Sequence, residues 1–175
     1  AAELHDEALF KESRPTDECP VCFLQLPIRP SQIQYQACCG KMLCLGCIYA
    51  AFFADNRKLC PFCRTPAHDT DRELIERINN RVKGDDTNAI CSLGGFYRDG
   101  IRGLPQDYEK AMELWHRAGE LGCATSYYSI SRAYYRGEGV ERDMKKAKHY
   151  CELAAIGGSV EARHNLGCLK GRQTI

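Results

Sequence analysis

The sequence lacks a long apolar run. No stretch approaches the roughly 20 residues needed to cross a bilayer, and none has the layout of a signal peptide. It also lacks a charge imbalance, with 24 lysines and arginines against 23 aspartates and glutamates. Near-neutrality gives no electrostatic case for nucleic acid or a membrane surface as a partner. No Cys–His nucleophile pair stands out. The first residue is Ala1 rather than Met, which leaves room for a native start upstream. At 175 residues the chain can form one large domain or two small ones.

What it has in excess is cysteine, 12 in all, unevenly placed. Eight lie between Cys19 and Cys63. Cys91, Cys123, Cys151 and Cys168 are scattered singly and read as small buried hydrophobes. The cluster runs "CPVC", fifteen residues, "CCGKMLCLGC", twelve residues, "CPFC". A disulfide framework is one reading. CxxC pairs favour metal binding, and a reducing compartment keeps such thiols free. Cys19/Cys22, Cys38/Cys39, Cys44/Cys47 and Cys60/Cys63 supply eight thiolates, enough for two tetrahedral structural zinc ions. A block this short cannot build a large core, so each zinc must supply on the order of 10 kcal/mol of folding energy.

The order of pairs and the loop lengths resemble the RING finger, the zinc module of many ubiquitin ligases. The resemblance covers residues 17–66. It implies cross-braced pairing, with Cys19, Cys22, Cys44 and Cys47 on one zinc and Cys38, Cys39, Cys60 and Cys63 on the other. The usual Cys-x-His before the third pair would place histidine at Lys41, and an ammonium is no zinc donor. The neighbouring thiol then replaces it, giving an all-cysteine variant in which Cys38 and Cys39 both ligate. Adjacent residues tend to point apart, so this needs a kink, which Gly40 can help provide. The competing reading has only Cys39 as a ligand and an incomplete second site. PHD and LIM modules fit less well, since both expect histidine. His5 and His68 flank the block and read as surface side chains.

A catalytic zinc keeps an open position for water. Eight ligands for two metals leave none, which speaks against a metal-dependent enzyme. The RING resemblance implies catalysis by positioning instead: a bound ubiquitin-conjugating enzyme has its ubiquitin thioester held in a reactive pose. Carried over residue by residue, the partner-binding face is Val21, Pro61 and an aromatic near Ala51, for which Phe52 and Phe53 stand adjacent. Arg64, just after the last ligand, takes the ubiquitin-positioning role. Each has a plainer reading, as turn residue, packed helix face or solvated charge.

"QIQYQA" predicts a short strand before Cys38, and "CIYAAFFADN" a short helix between the third and fourth pairs. In residues 67–85, Thr70 and Glu73 form a capping box. Leu74, Ile75, Ile78 and Val82 recur at helical spacing, and Lys83 and Gly84 close the run. A helix over 71–83 is predicted, its apolar stripe packed on the first repeat of the next segment. Ahead of the cysteines, in residues 1–16, Leu4, Leu9 and Phe10 suggest an amphipathic turn against the zinc block.

Residues 86–175 carry a period of about 36. "LGGFYRDG" aligns with "ISRAYYRG", and "DYEKAMELWHRAGELG" with "DMKKAKHYCELAAIGG". Tyr97 matches Tyr134, Gly100 matches Gly137, Lys110 matches Lys146 and Ala118 matches Ala154. Each unit reads as two helices, with Asp107 and Asp143 as caps. "EARHNLG" begins a third unit that stops after one helix, so two units are complete. "YYRGEGVERDMKKA" resembles the Sel-1-like repeat, a relative of the tetratricopeptide repeat. The first unit departs from that pattern by one extra residue and by Leu104 at the valine position. The resemblance implies a curved α-solenoid that binds proteins. Trp115, Tyr127, Tyr128 and Tyr135 either line a binding face or fill the core, and core suits most of them.

The expected fold is a small zinc-stabilised α+β RING domain followed by an all-α solenoid of helix-turn-helix repeats. The expected function is a RING-type ubiquitin ligase that binds loaded conjugating enzyme while the repeats recruit substrate or adaptor. The rival is a non-catalytic zinc-containing scaffold for protein–protein interaction. Free-thiol zinc chemistry and the absence of targeting signals point to cytoplasm or nucleus.

Overall fold

The computed structural model describes residues 18–27, 30–55 and 58–171. Leu4, Leu9 and Phe10 lie outside the described residues. The chain forms two compact units, with the division between Ala89 and Ile90.

In the cysteine-rich unit, a short 3-10 turn at Pro30–Gln32 leads into β1 (Ile33–Gln36), which pairs antiparallel with β2 (Lys41–Cys44). Ile33 faces Cys44 and Gln36 faces Lys41. The four-residue connection closes because Gly40 adopts φ +72°, a left-handed conformation that costs glycine little. Both Cys39 N–H and Gly40 N–H donate to the Gln36 carbonyl, at 3.2 and 2.8 Å. Helix α1 (Leu45–Asp55) begins directly after β2. It is apolar nearly all round, so it cannot bury every side it presents. Ile48 packs into the small core of Cys19, Leu26, Leu43 and Cys60, whereas Tyr49, Phe52 and Phe53 stay exposed.

Helix α2 (Asp71–Lys83) fills the predicted span. Thr70 Oγ1 accepts from Glu73 N–H at 3.2 Å, and Glu73 reaches back to Asp69 N–H at 3.1 Å rather than to Thr70. The expected glycine stop differs in detail. Gly84 has φ −97°, and the left-handed residue is the next one, Asp85, at φ +55°. Leu74 and Ile78 are the buried members of the stripe.

Among the described residues the second unit is built of helices: α3 (Thr87–Asp99, beginning in the first unit), α4 (Tyr108–Glu120), α5 (Ala124–Arg136), α6 (Met144–Ile156) and α7 (Val160–Gly171). Long and short connections alternate, with Gly100–Asp107 and Gly137–Asp143 inside repeats and three-residue turns between them. Asp107 accepts from Lys110 N–H, and Asp143 from Lys145 and Lys146 N–H, so both caps form. Alanine at the contacts lets neighbouring helices approach closely. Ala111, Met112, Trp115, Ile130 and Ala133 make one core cluster, and Cys151, Ala154, Ala155, Ala162 and Leu166 the next. Trp115 is buried, Tyr127 and Tyr128 pack on these clusters, and Tyr135 is exposed. No helix among the described residues is long and apolar enough to cross a membrane.

Candidate metal centres and binding face

The two Cys-Pro-x-Cys stretches fold into the same turn. Cys19 N–H donates to Leu24 O at 2.9 Å, and Phe23 N–H to Cys19 O at 2.8 Å. In the second copy, Cys60 N–H donates to Thr65 O at 2.9 Å, and Arg64 N–H to Cys60 O at 2.8 Å. Each turn is closed by a single bridge, Glu18 with Gln25 and Leu59 with Pro66. The residue after each last cysteine is left-handed, Phe23 and Arg64 both at φ 58°. Arg64 thus has a structural counterpart in Phe23, which nothing in the sequence singles out.

The remaining pairs come from the hairpin. Cys38 and Cys39 lie in its turn, Cys44 ends β2, and Cys47 sits in the first turn of α1. Folding brings the eight sulfurs into two groups, Cys19, Cys22, Cys44 and Cys47, and Cys38, Cys39, Cys60 and Cys63, each with its Sγ atoms within 4.8 Å of one another. Cys19–Cys47 and Cys22–Cys44 are 3.9 Å apart, as are Cys39–Cys60, while Cys38–Cys63 are 3.4 Å apart. All eight are free thiols. Four thiolates at about 2.3 Å from a tetrahedral ion lie roughly 3.8 Å from one another, so both groups fit such a centre. Adjacent Cys38 and Cys39 serve the same group, made possible by the Gly40 kink.

Without a metal the thiols compete for protons. Burial pushes Cys19 up, but backbone N–H groups of Cys44, Cys22 and Val21 outweigh it and bring the thiol down to about 6. In the second group Cys63 falls to about 6, because contacts with Thr65 outweigh burial. Cys38 and Cys47 are pushed up by burial and then by neighbouring sulfurs. Each group therefore sets an easily ionised thiol, Cys19 or Cys63, beside one that resists ionising, Cys47 or Cys38, a conflict that a bound dication removes.

Helix α2 is tied to the second group. Arg81 donates to Cys38 O at 2.8 Å and to Ala37 O at 3.4 Å. Arg77 donates to Pro66 O at 2.9 Å, beside the Cys60–Cys63 turn. Asp86 accepts from Tyr35 O–H at 2.7 Å and, through its other oxygen, from Asn88 and Ala89 N–H at 3.1 Å. Burial, then the bond to Asp86, raises the Tyr35 pKa and keeps the phenol protonated as a donor. One carboxylate thus joins β1 to the N-terminus of α3. Neither Arg81 nor Asp86 is evident from sequence as part of the site, because both act across more than 40 residues on backbone or a phenol.

Of the proposed partner-binding residues, Val21 packs on the cysteine core, Pro61 is half-buried, and Phe52 and Arg64 are exposed. The unit also exposes Phe23 at 73%, Leu24 at 68% and Phe53 at 80%.

Residues 87–123 and 124–159 each match the family described as Sel1 repeat. These two segments are Sel1 repeats. The matched residues lie wholly beyond the cysteine block. The chain is 31% identical over 102 residues to the ERAD-associated E3 ubiquitin-protein ligase component HRD3B of Arabidopsis thaliana, covering 58% of this chain and 15% of that protein. The Sel1 repeat protein from Oxalobacter formigenes is similar in structure, with TM-score 0.50 and 29% identity over 51% of this chain and 36% of its own. A protective antigen present in uropathogenic Escherichia coli strains, displaying an SLR fold, gives TM-score 0.52 and 25% identity over 58% of this chain and 21% of its own.

In the Sel1 repeats the recurring residues are structural. Lys110 Nζ sits over the Tyr97 ring at 4.7 Å and Lys146 Nζ over the Tyr134 ring at 5.2 Å. The same tyrosines accept through their backbone carbonyls from Asp107 and Asp143 N–H, at 2.8 and 3.0 Å. Gly139, at φ +71°, lies where a Cβ would come within 2.1 Å of Tyr108 Cβ, so the turn requires glycine.

Proposed function

We propose that the cysteine-rich unit is an all-cysteine RING-type module that holds two zinc ions and acts as a ubiquitin ligase. The observation that carries this reading is the cross-braced grouping of the eight thiols, with members of each group drawn from pairs separated along the chain. Cys19, Cys22, Cys44 and Cys47 hold one zinc, and Cys38, Cys39, Cys60 and Cys63 the other. The metals supply fixed geometry to loops that have little core of their own.

The exposed apolar surface around Phe52 and Phe53, with Val21 and Pro61, receives a conjugating enzyme. Arg64, held outward by its left-handed backbone, contacts ubiquitin and fixes the thioester pose. The substrate amine then attacks the thioester carbonyl carbon, an isopeptide bond forms, the carbon–sulfur bond breaks, and the thiolate leaves with the conjugating enzyme. The Sel1 repeats recruit the substrate or an adaptor, and the reading places the protein in cytoplasm or nucleus. Likeness to a component of a ubiquitin ligase supports the assignment of the repeats.

The test is single-turnover discharge of ubiquitin from a panel of loaded conjugating enzymes to free lysine. The zinc-loaded chain is expected to accelerate discharge, and Arg64→Ala and Val21→Ala to reduce it at least about tenfold without unfolding the protein. No acceleration with any conjugating enzyme, together with retained partner binding, would favour the second reading. That reading is a protein-interaction scaffold without catalysis, and the Sel1 repeats themselves favour it.

A further inference from the structure

The two Cys-Pro-x-Cys turns share a backbone but not their neighbours. Leu24 and Thr65 hold the same place, each carbonyl accepting at 2.9 Å from the N–H of the turn's first cysteine. At that place Thr65 carries a hydroxyl, and its Oγ1 lies 3.2 Å from Cys63 Sγ. The Leu24 side chain has no donor to give Cys22 and is exposed.

Charge is divided in the same way. Both arginines that brace the metal loops serve the second group, Arg81 at Cys38 O and Arg77 at Pro66 O. Access does not separate the groups. Each has one buried member, Cys19 or Cys60, and three half-buried ones.

A dication held by four thiolates leaves excess negative charge on the sulfurs, which stay nucleophilic. A hydrogen bond to sulfur and a nearby cation stabilise that charge and damp its attack. In the free-thiol form the Cys63 S–H donates to Thr65. As a metal ligand Cys63 has no proton, and the Thr65 hydroxyl turns to donate instead. The leucine of the first group cannot.

Taking the two groups as zinc centres, as proposed above, we infer that the first is an oxidant-sensitive switch, closed to a Cys22–Cys44 disulfide by oxidants of the hydroperoxide class while the second, guarded by Thr65 as a positioning residue, keeps its metal.

Cys22 and Cys44 suit the step because both are half-buried and their sulfurs lie 3.9 Å apart. One thiolate sulfur attacks a peroxide oxygen, the O–O bond breaks, and the departing hydroxide takes a proton to become water. The other thiolate attacks the resulting sulfenic sulfur. A disulfide forms, the S–O bond breaks, and the hydroxide leaves with a proton as a second water. Two thiolates, one peroxide and two protons give one disulfide and two waters.

The consequence falls on the proposed partner face. Cys22 follows Val21, and Cys44 leads directly into α1, which carries Phe52 and Phe53. Oxidation unfastens both, while α2 stays bonded to the turn of the second group. The single cysteines of the helical unit take no part. Cys151 is buried, Cys91 and Cys123 are half-buried, and the Cys168 side chain lies outside the described residues.

The test begins with a zinc count on the full chain, then adds hydrogen peroxide in small steps, counting zinc and mapping disulfides at each. One zinc should leave as the Cys22–Cys44 peptide appears, with the first group oxidised at least about tenfold faster than the second. Thr65→Val should speed oxidation of the second group at least about threefold, and Thr65→Ser should keep it protected. Leu24→Thr should slow the first group; it changes an exposed side chain, so it reads out even where Thr65→Val weakens the fold. Equal rates in the two groups, a first disulfide in the second group, or Thr65→Ser matching Thr65→Val would overturn the inference and leave the two-zinc reading standing. Fewer than two zinc ions at the outset would overturn that reading and the inference with it.

Discussion

Arg81 donates from Nη2 to the carbonyl oxygen of Cys38 at 2.8 Å, joining residues 43 apart in sequence. A helix that reads as a connector thereby becomes a brace for the turn that carries two adjacent cysteines. Arg81→Met keeps helix propensity and removes the charge-assisted bond, worth about 1.5–3 kcal/mol. We expect the second group to release zinc faster in a chelator competition while the first is unchanged. Equal release from both groups, at the wild-type rate, would show that the brace has no bearing on the metal.

Tyr35→Phe removes the donor that meets Asp86 at 2.7 Å. The carboxylate keeps its two backbone donors at the start of α3, so the loss is partial. Unfolding of the cysteine-rich unit in urea should occur earlier by about 1–3 kcal/mol.

In the solenoid, Gly94 tests the packing around the buried indole. A Cβ there would lie 2.6 Å from Trp115 Nε1 and 3.2 Å from the Ala111 carbonyl. Gly94→Ala gains helix propensity but must displace a buried indole. A net loss of about 1–3 kcal/mol is expected in thermal unfolding. A gain instead would mean that the indole moves freely.

Asp107→Ala removes the acceptor for Lys110 N–H at 2.9 Å. The cost is about 1 kcal/mol, read as a lower melting temperature with the helix count unchanged at room temperature.

Much of this is legible in the sequence, for definite reasons. Periodicity and caps are local, so 71–83 reads as a helix and Asp107 and Asp143 read as caps, as α2, α4 and α6 bear out. The Sel1 repeats are visible because their turns demand particular residues, such as Gly137 in a left-handed cap and Gly139 against Tyr108. The grouping of thiols rests on resemblance, since spacing alone does not say which pairs meet. The contributions of Arg81 and Asp86 are hidden, because a surface-like charge carries no mark of the distant carbonyl or phenol that it will bind.

Zinc removal separates the two units. On the zinc reading the cysteine-rich unit depends on its metals, whereas α4–α7 pack through apolar clusters. Chelation should make residues 18–66 sensitive to protease while most of the helical circular dichroism persists. Loss of the whole helical signal would mean that the Sel1 repeats need the metal unit to fold.

The most direct test of the central claim is an anomalous difference map at the zinc edge from crystals of the zinc-loaded chain. The account predicts two peaks, one among Cys19, Cys22, Cys44 and Cys47 and one among Cys38, Cys39, Cys60 and Cys63, with both adjacent sulfurs bound to the second. A single peak, or Cys38 and Cys39 bound to different ions, would contradict it.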